Sequence, residues 1–192
     1  MEIQTEGILI ISVILIVGFL AYTTFYDDNL QKVKSKIDNN EYYVQDKKDA
    51  QAAADLIASI RQKLILLVDN LIKTHPSEDK RIIMLKSNFN PNKIKEGEEG
   101  NGSTSYSINK GEQIVLCLRN KDKLMDTNTM MFVVLHELAH IATESIGHTS
   151  EFWDNFKWIL EESINIGIYQ KKDYSKESVE YCGMTISTTP LD

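Results

Sequence analysis

One stretch constrains this chain more than any other: Thr127 to Ser145, TNTMMFVVLHELAHIATES. Met130, Met131, Val133, Val134, Leu135, Leu138 and Ile141 put apolar side chains on nearly every face of the helix it predicts. A helix that is apolar all round is buried, so the rest of the fold has to be built around it. Asp126 or Thr127 can cap its start and Gly147 breaks it. Into this core helix the sequence sets His136, Glu137 and His140. Two imidazoles and a carboxylate buried there would cost on the order of several kcal/mol without a partner such as a metal ion.

His136-Glu137-Leu138-Ala139-His140 has the spacing HExxH. Residues four apart share a helix face, about 5–6 Å between Cβ atoms. Two imidazoles so placed can reach one Zn²⁺ at about 2.0–2.1 Å. Glu137 flanks that face, offset enough to miss the ion and close enough to reach its water, where a general base belongs. Catalytic zinc takes three protein ligands and leaves a fourth position to water. Glu144, His148 and Glu151 are the candidates for the third ligand. Three ligands along a straight helix would span about 12 Å, too far for one ion. Gly147 supplies the chain reversal that this requires, just before His148, so His148 is the expected ligand.

The surrounding sequence predicts a domain over residues 49–192. Asp49 to Thr74 is amphipathic, with Ala53, Leu56, Ile57, Ile60, Leu64 and Leu67 at helical spacing, and His75-Pro76 ends it. His75 reads as a solvated residue at that end. Lys93 to Gly102 is a charged, glycine-rich loop. Thr104–Ile108 and Gln113–Leu118 form a β-hairpin around Asn109-Lys110-Gly111. Thr149 or Ser150 starts a second helix, with Phe152, Trp153, Phe156, Ile159 and Leu160 facing inward. The tail from Gly167 reads as irregular. Within it Tyr181-Cys182-Gly183-Met184 serves packing, or places a Met under the zinc or a Tyr hydroxyl near an oxyanion. Cys117 and Cys182 fit no metal spacing and one pair is no disulfide framework, so both are expected as reduced, packed thiols. The fold class is α+β: a compact zincin-like domain with a small, mostly antiparallel sheet packed on the HExxH helix.

Gly7 to Tyr26 carries no charge and is long enough, at about 30 Å as a helix, to span a bilayer. The acidic start MEIQTEG argues against a cleaved signal peptide. Residues 1–26 are therefore expected as an uncleaved anchor contacting the membrane through residues 7–26, and 27–48 as a polar stalk. Lys32, Lys34 and Lys36 follow the span and no Lys or Arg precedes it, which predicts a single-pass protein with its domain on the cytoplasmic side. Net charge is −7. A mildly acidic domain has no broad attraction for phosphate backbones, so nucleic acid is not an expected partner.

HELAH followed by GHTSEFW resembles the active-site helix and third-ligand turn of WLM, SprT-like and YgjP-like zinc peptidases. The resemblance covers Val133 to Trp158 and extends loosely over Asp49 to Leu118. The combination also resembles zinc peptidases encoded by large DNA viruses. The anchor lies outside that pattern, and the seven residues between His140 and His148 exceed the usual gap. The resemblance implies zinc held by His136, His140 and His148, Glu137 as catalytic base, and a protein or peptide substrate. It also implies an edge strand beside the active helix that takes substrate as an added strand, with QIVLCL and TSYSI as candidates. The expected activity is peptide-bond hydrolysis. Hydrolysis of another bond by the same zinc chemistry, or a non-catalytic tethered zinc-binding module, are the other classes; an intact Glu137 argues against the last.

Overall fold

The computed structural model describes residues 30–97 and 104–191. Leu30–Lys34 (β1) and Glu41–Gln45 (β2) pair antiparallel, with Leu30 opposite Gln45 and Lys34 opposite Glu41. Tyr42 and Val44 point into the core while Tyr43 points out, the period of two of a half-buried strand. The Ser35 hydroxyl and the Lys36 amide both donate to Asp55 at 2.7 Å, fastening the hairpin to the helix that follows. From Leu30 onward the expected polar stalk is thus a hairpin of the domain. Two five-residue strands flanked by lysines and aspartates leave too little apolar pattern to announce themselves.

Ala50–Thr74 (α1) follows, with Ile57, Ile60, Leu64, Leu67 and Leu71 fully buried along one stripe. It ends at His75, extended before Pro76 as expected. His75 is not simply solvated: its ring meets Trp158 edge-on at 5.3 Å and lies 3.8 Å from Glu162. Lys80–Asn88 (α2) is capped by Asp79, whose carboxylate accepts from the Arg81 amide.

Ile94–Glu96 (β3), Tyr106–Ile108 (β4) and Gln113–Leu116 (β5) form a sheet in the order β3-β5-β4. The expected hairpin is β4–β5, antiparallel through Ser107 opposite Ile114. The β3 strand comes from the segment expected as loop and pairs parallel to β5. The turn between β4 and β5 places Asn109 and Lys110 at positive φ and Gly111 at φ +115°. A Cβ on Gly111 would sit 2.5 Å from the Asn88 carbonyl oxygen, so only glycine lets this turn lie against the end of α2.

Arg119–Asn120 (β6) and Lys123–Leu124 (β7) make a short hairpin leading to Thr127–Ala142 (α3), the helix expected to be central. Asp126 caps it by accepting from the Thr129 amide. Ser150–Asn165 (α4) is capped by Thr149. Phe152, Phe156, Ile159 and Leu160 of α4 are buried as expected, but Trp153 is 45% exposed. Helices α1, α2 and α4 and the β4 strand all pack on α3. The tail is not irregular throughout: Val179–Tyr181 (β8) and Met184–Ile186 (β9) pair as a hairpin through Tyr181 opposite Met184.

Two expectations are corrected. Cys117 and Cys182 form a disulfide instead of two reduced thiols, joining the end of β5 to the turn between β8 and β9. A single pair is silent in sequence because its geometry depends on the fold of a chain that separates the two by 65 positions. The anchor expected over residues 7–26 lies outside the described residues, and among the described residues no helix is long and apolar enough to cross a membrane. Lys32 and Lys34, which served to orient a span, belong to strand β1. The single-pass placement with a cytoplasmic domain is withdrawn.

Candidate metal centre

The imidazoles of His136, His140 and His148 converge although their chain positions span a helix, a turn and a helix start. His136 and His140 are one turn apart on α3, with ring centroids 4.9 Å apart. α3 stops at Thr143, and the chain reverses through Gly147 at φ +83° to bring His148 back. The His148 and His136 Nε2 atoms lie 3.0 Å apart. One ring nitrogen from each of the three falls within 4.8 Å of the others. Phe152, from the first turn of α4, packs on all three rings and stacks on His140 at 4.3 Å.

The turn carrying His148 is held from both sides. Lys110 Nζ, reaching from the β4–β5 turn, donates to the carbonyl oxygens of Thr143 at 2.6 Å and Ser145 at 3.1 Å, and to that of Glu144. These carbonyls lie at the C-cap of α3 and in the turn just past it, where the helix dipole favours a cation. Opposite, the Glu151 carboxylate accepts from the amides of Glu144 and Ser145 at 3.2 and 3.1 Å, and the Ser145 side chain followed by these amides holds it below the usual carboxylate range. Glu144 itself is exposed and paired with Lys80 at 3.0 Å. Neither acidic alternative joins the histidine cluster.

Burial pushes the His136 pKa down to about 3, assisted by the neighbouring His140 and His148. Burial, His148 and Lys110 push that of His140 down to about 4. Both rings are therefore neutral near pH 7, with lone pairs to offer. Neutral imidazoles with converging nitrogens and few polar partners of their own are the donor set that Zn²⁺ takes. The residues fit the ion.

Glu137 is 5% exposed and sits beside the cluster. Burial raises its pKa to about 7, against the lowering effect of hydrogen bonds from the Ser107 hydroxyl and amide on strand β4. Glu137 thus links the central helix to the sheet edge. Of the two strand candidates, TSYSI contains the edge strand β4, whereas QIVLCL runs in the middle of the sheet. Histidines and glutamate open into a cavity of about 600 Å³ that reaches on to Phe132, Tyr181, Met184 and Ile186. The Tyr181 hydroxyl is engaged by the Cys117 carbonyl at 3.0 Å and by the Ser105 hydroxyl, and burial raises its pKa to about 12. Sequence reasoning named every histidine and Glu137 but missed Lys110 and Ser107. Lys110 carries one signal, its place in a turn that needs positive φ; Ser107 carries none.

The WLM domain family model matches residues 38–189. An uncharacterized protein of Acanthamoeba polyphaga mimivirus is 32% identical over 185 residues, covering 93% of this chain and 92% of that one. An uncharacterized protein of Invertebrate iridescent virus 6 is 29% identical over 178 residues, covering 88% and 96%. The crystal structure of Wss1 from Saccharomyces cerevisiae overlaps at a TM-score of 0.46 and 18% identity, covering 64% of this chain and 85% of that one. The two viral relatives agree with the motif's resemblance, and the match across residues 38–189 means that the chain belongs to the WLM domain family, a zinc-metallopeptidase-like family.

Proposed function

We propose that this protein is a zinc-dependent peptidase in which His136, His140 and His148 hold the ion and Glu137 is the general base. The observation that carries the reading is the meeting of three imidazoles and one buried carboxylate in a single cavity. When bound, zinc supplies Lewis acidity, lowering the pKa of a water toward ~7 and polarising a carbonyl. The work of the chain is positioning and proton transfer. Glu137 takes the proton of the attacking water and hands it to the departing amine. A base is most effective when its pKa lies near the working pH; burial raises that of Glu137 in the metal-free protein, and a bound cation would bring it back down. Ser107 fixes the carboxylate through two hydrogen bonds, so its approach is set by β4. That strand's free edge can align an extended peptide by backbone hydrogen bonds. Phe152 excludes water from the protein side of the rings.

Elemental analysis of the purified protein should give about one zinc per chain, and His148→Ala should lose most of it. Glu137→Gln should keep its zinc while hydrolysis of a peptide library falls by ~10²–10⁴-fold. Full activity in Glu137→Gln would remove the proposed base. Full zinc with no cleavage in the wild type would favour a structural metal site.

A further inference from the structure

The cavity continues past Glu137 toward the start of α3, where its lining is Phe132, Val133, Met184 and Ile186 beside the Tyr181 and Ser105 hydroxyls, which are bonded to each other. Phe132 and Val133 lie one turn before His136 and Glu137, on the same helix face. The facing wall is the tail hairpin, through Met184 and Ile186. This wall is fixed rather than a loose end: Cys182 is bonded to Cys117, and the Tyr181 hydroxyl is held by Cys117 and Ser105.

Charge decides what such a space accepts. Besides the histidines, the charged residues lining the cavity are Glu137 and Lys110. The Lys110 ammonium already serves three carbonyls at the His148 end. A charged side chain of either sign entering the far end would give up its hydration for apolar walls. Three of the apolar residues lining the cavity also reach solvent: Tyr106 is 37%, Met184 48% and Ile146 88% exposed. Scattered exposed apolar residues are ordinary, but several around one cavity mark a binding surface.

We infer that the space bounded by Phe132, Val133, Met184 and Ile186 is a side-chain subsite for a bulky apolar residue of the substrate beside the scissile bond. Placing it beside a scissile bond rests on the peptidase reading above; the apolar binding itself does not. Such residues are buried in folded proteins, and an edge strand accepts only an extended chain. The substrate class is therefore unfolded or locally extended polypeptide exposing leucine-, methionine- or phenylalanine-like side chains.

The test uses the full chain with zinc and two readouts. Wild type digests a peptide library and the cut sites are sequenced. In parallel, calorimetry measures binding of Glu137→Gln to peptides identical except for Leu, Phe, Ala, Lys or Asp at one position. Each buried methylene is worth about a factor of four in affinity, so Leu and Phe should exceed Ala by at least about tenfold in both readouts, with Lys and Asp weakest. Val133→Trp should fill the subsite and shift preference to Gly and Ala. Met184→Lys, at a half-exposed position that leaves the core intact, should raise acceptance of Asp and Glu. Cleavage without apolar preference, or a profile that Met184→Lys leaves unchanged, overturns the subsite while the peptidase reading stands. Selective binding of Leu peptides by Glu137→Gln, with no cleavage by wild type, keeps the subsite and overturns the catalytic reading. Neither cleavage nor selective binding overturns both.

Discussion

Glu137 concentrates the chemistry of this molecule in one side chain, and its burial has a cost that pH can expose. In the metal-free protein its pKa lies near 7, above the ordinary 4.5, because burial disfavours the charged form. The folded state therefore holds a proton that the unfolded chain has lost over that range. The resulting destabilisation is absent below pH 4.5, grows between 4.5 and 7, and is complete above 7. Its full size is at most about 3 kcal/mol. Metal-free Glu137→Gln should accordingly be more stable than metal-free wild type at pH 8 and nearly equal to it at pH 4.5. Urea denaturation at the two pH values measures this, and equal stability at pH 8 would deny the carboxylate its buried, ionised state. At this scale the site was legible because the histidines and Glu137 lie within thirteen residues and helix periodicity relates two of the ligand candidates directly. Ser107 and Lys110 were not legible, since they meet α3 only through sheet geometry.

The elements divide the same way. Long, strongly periodic segments, α1, α3 and α4, were readable from apolar spacing, and β4–β5 from its turn. Short elements were not. The β1–β2 hairpin, three-residue β3 and the β8–β9 hairpin gain their stability from partners rather than from local pattern. Arg119 shows how such pieces are tied down: buried, it pairs with fully buried Glu96 of β3 and, at 2.7 Å, with Asp49 at the start of α1. The turn after α3 is another dependent element, because its carbonyls face Lys110 and its amides face Glu151. Lys110→Met should leave three carbonyls without their cation and let the His148 turn drift. The expected result is zinc affinity weakened by about tenfold or more, with partial recovery in Lys110→Arg, which restores charge but not length or shape. Competition with a chromophoric chelator measures the change. Unaltered affinity in Lys110→Met would mean that the turn holds its shape without the ammonium.

As a whole, the molecule is one helix wrapped by the others, with the reactive face of α3 left open between the sheet edge and the tail hairpin. The Cys117–Cys182 bond adds a covalent boundary to that arrangement. It turns everything between those positions into a closed ring of chain, and His136, Glu137, His140 and His148 all lie inside the ring. In the chain-entropy account such a closure restrains the unfolded state by about 4 kcal/mol, all of it falling on the segment that carries the chemistry. The topology also governs the fate of a broken chain. A protease that nicks the exposed 146–148 turn opens the ring but severs nothing, because both pieces stay joined through sulfur. Nicked protein should run as a single full-mass species on a denaturing gel without reductant and as two fragments once reductant is added. Two fragments in the absence of reductant would break the ring.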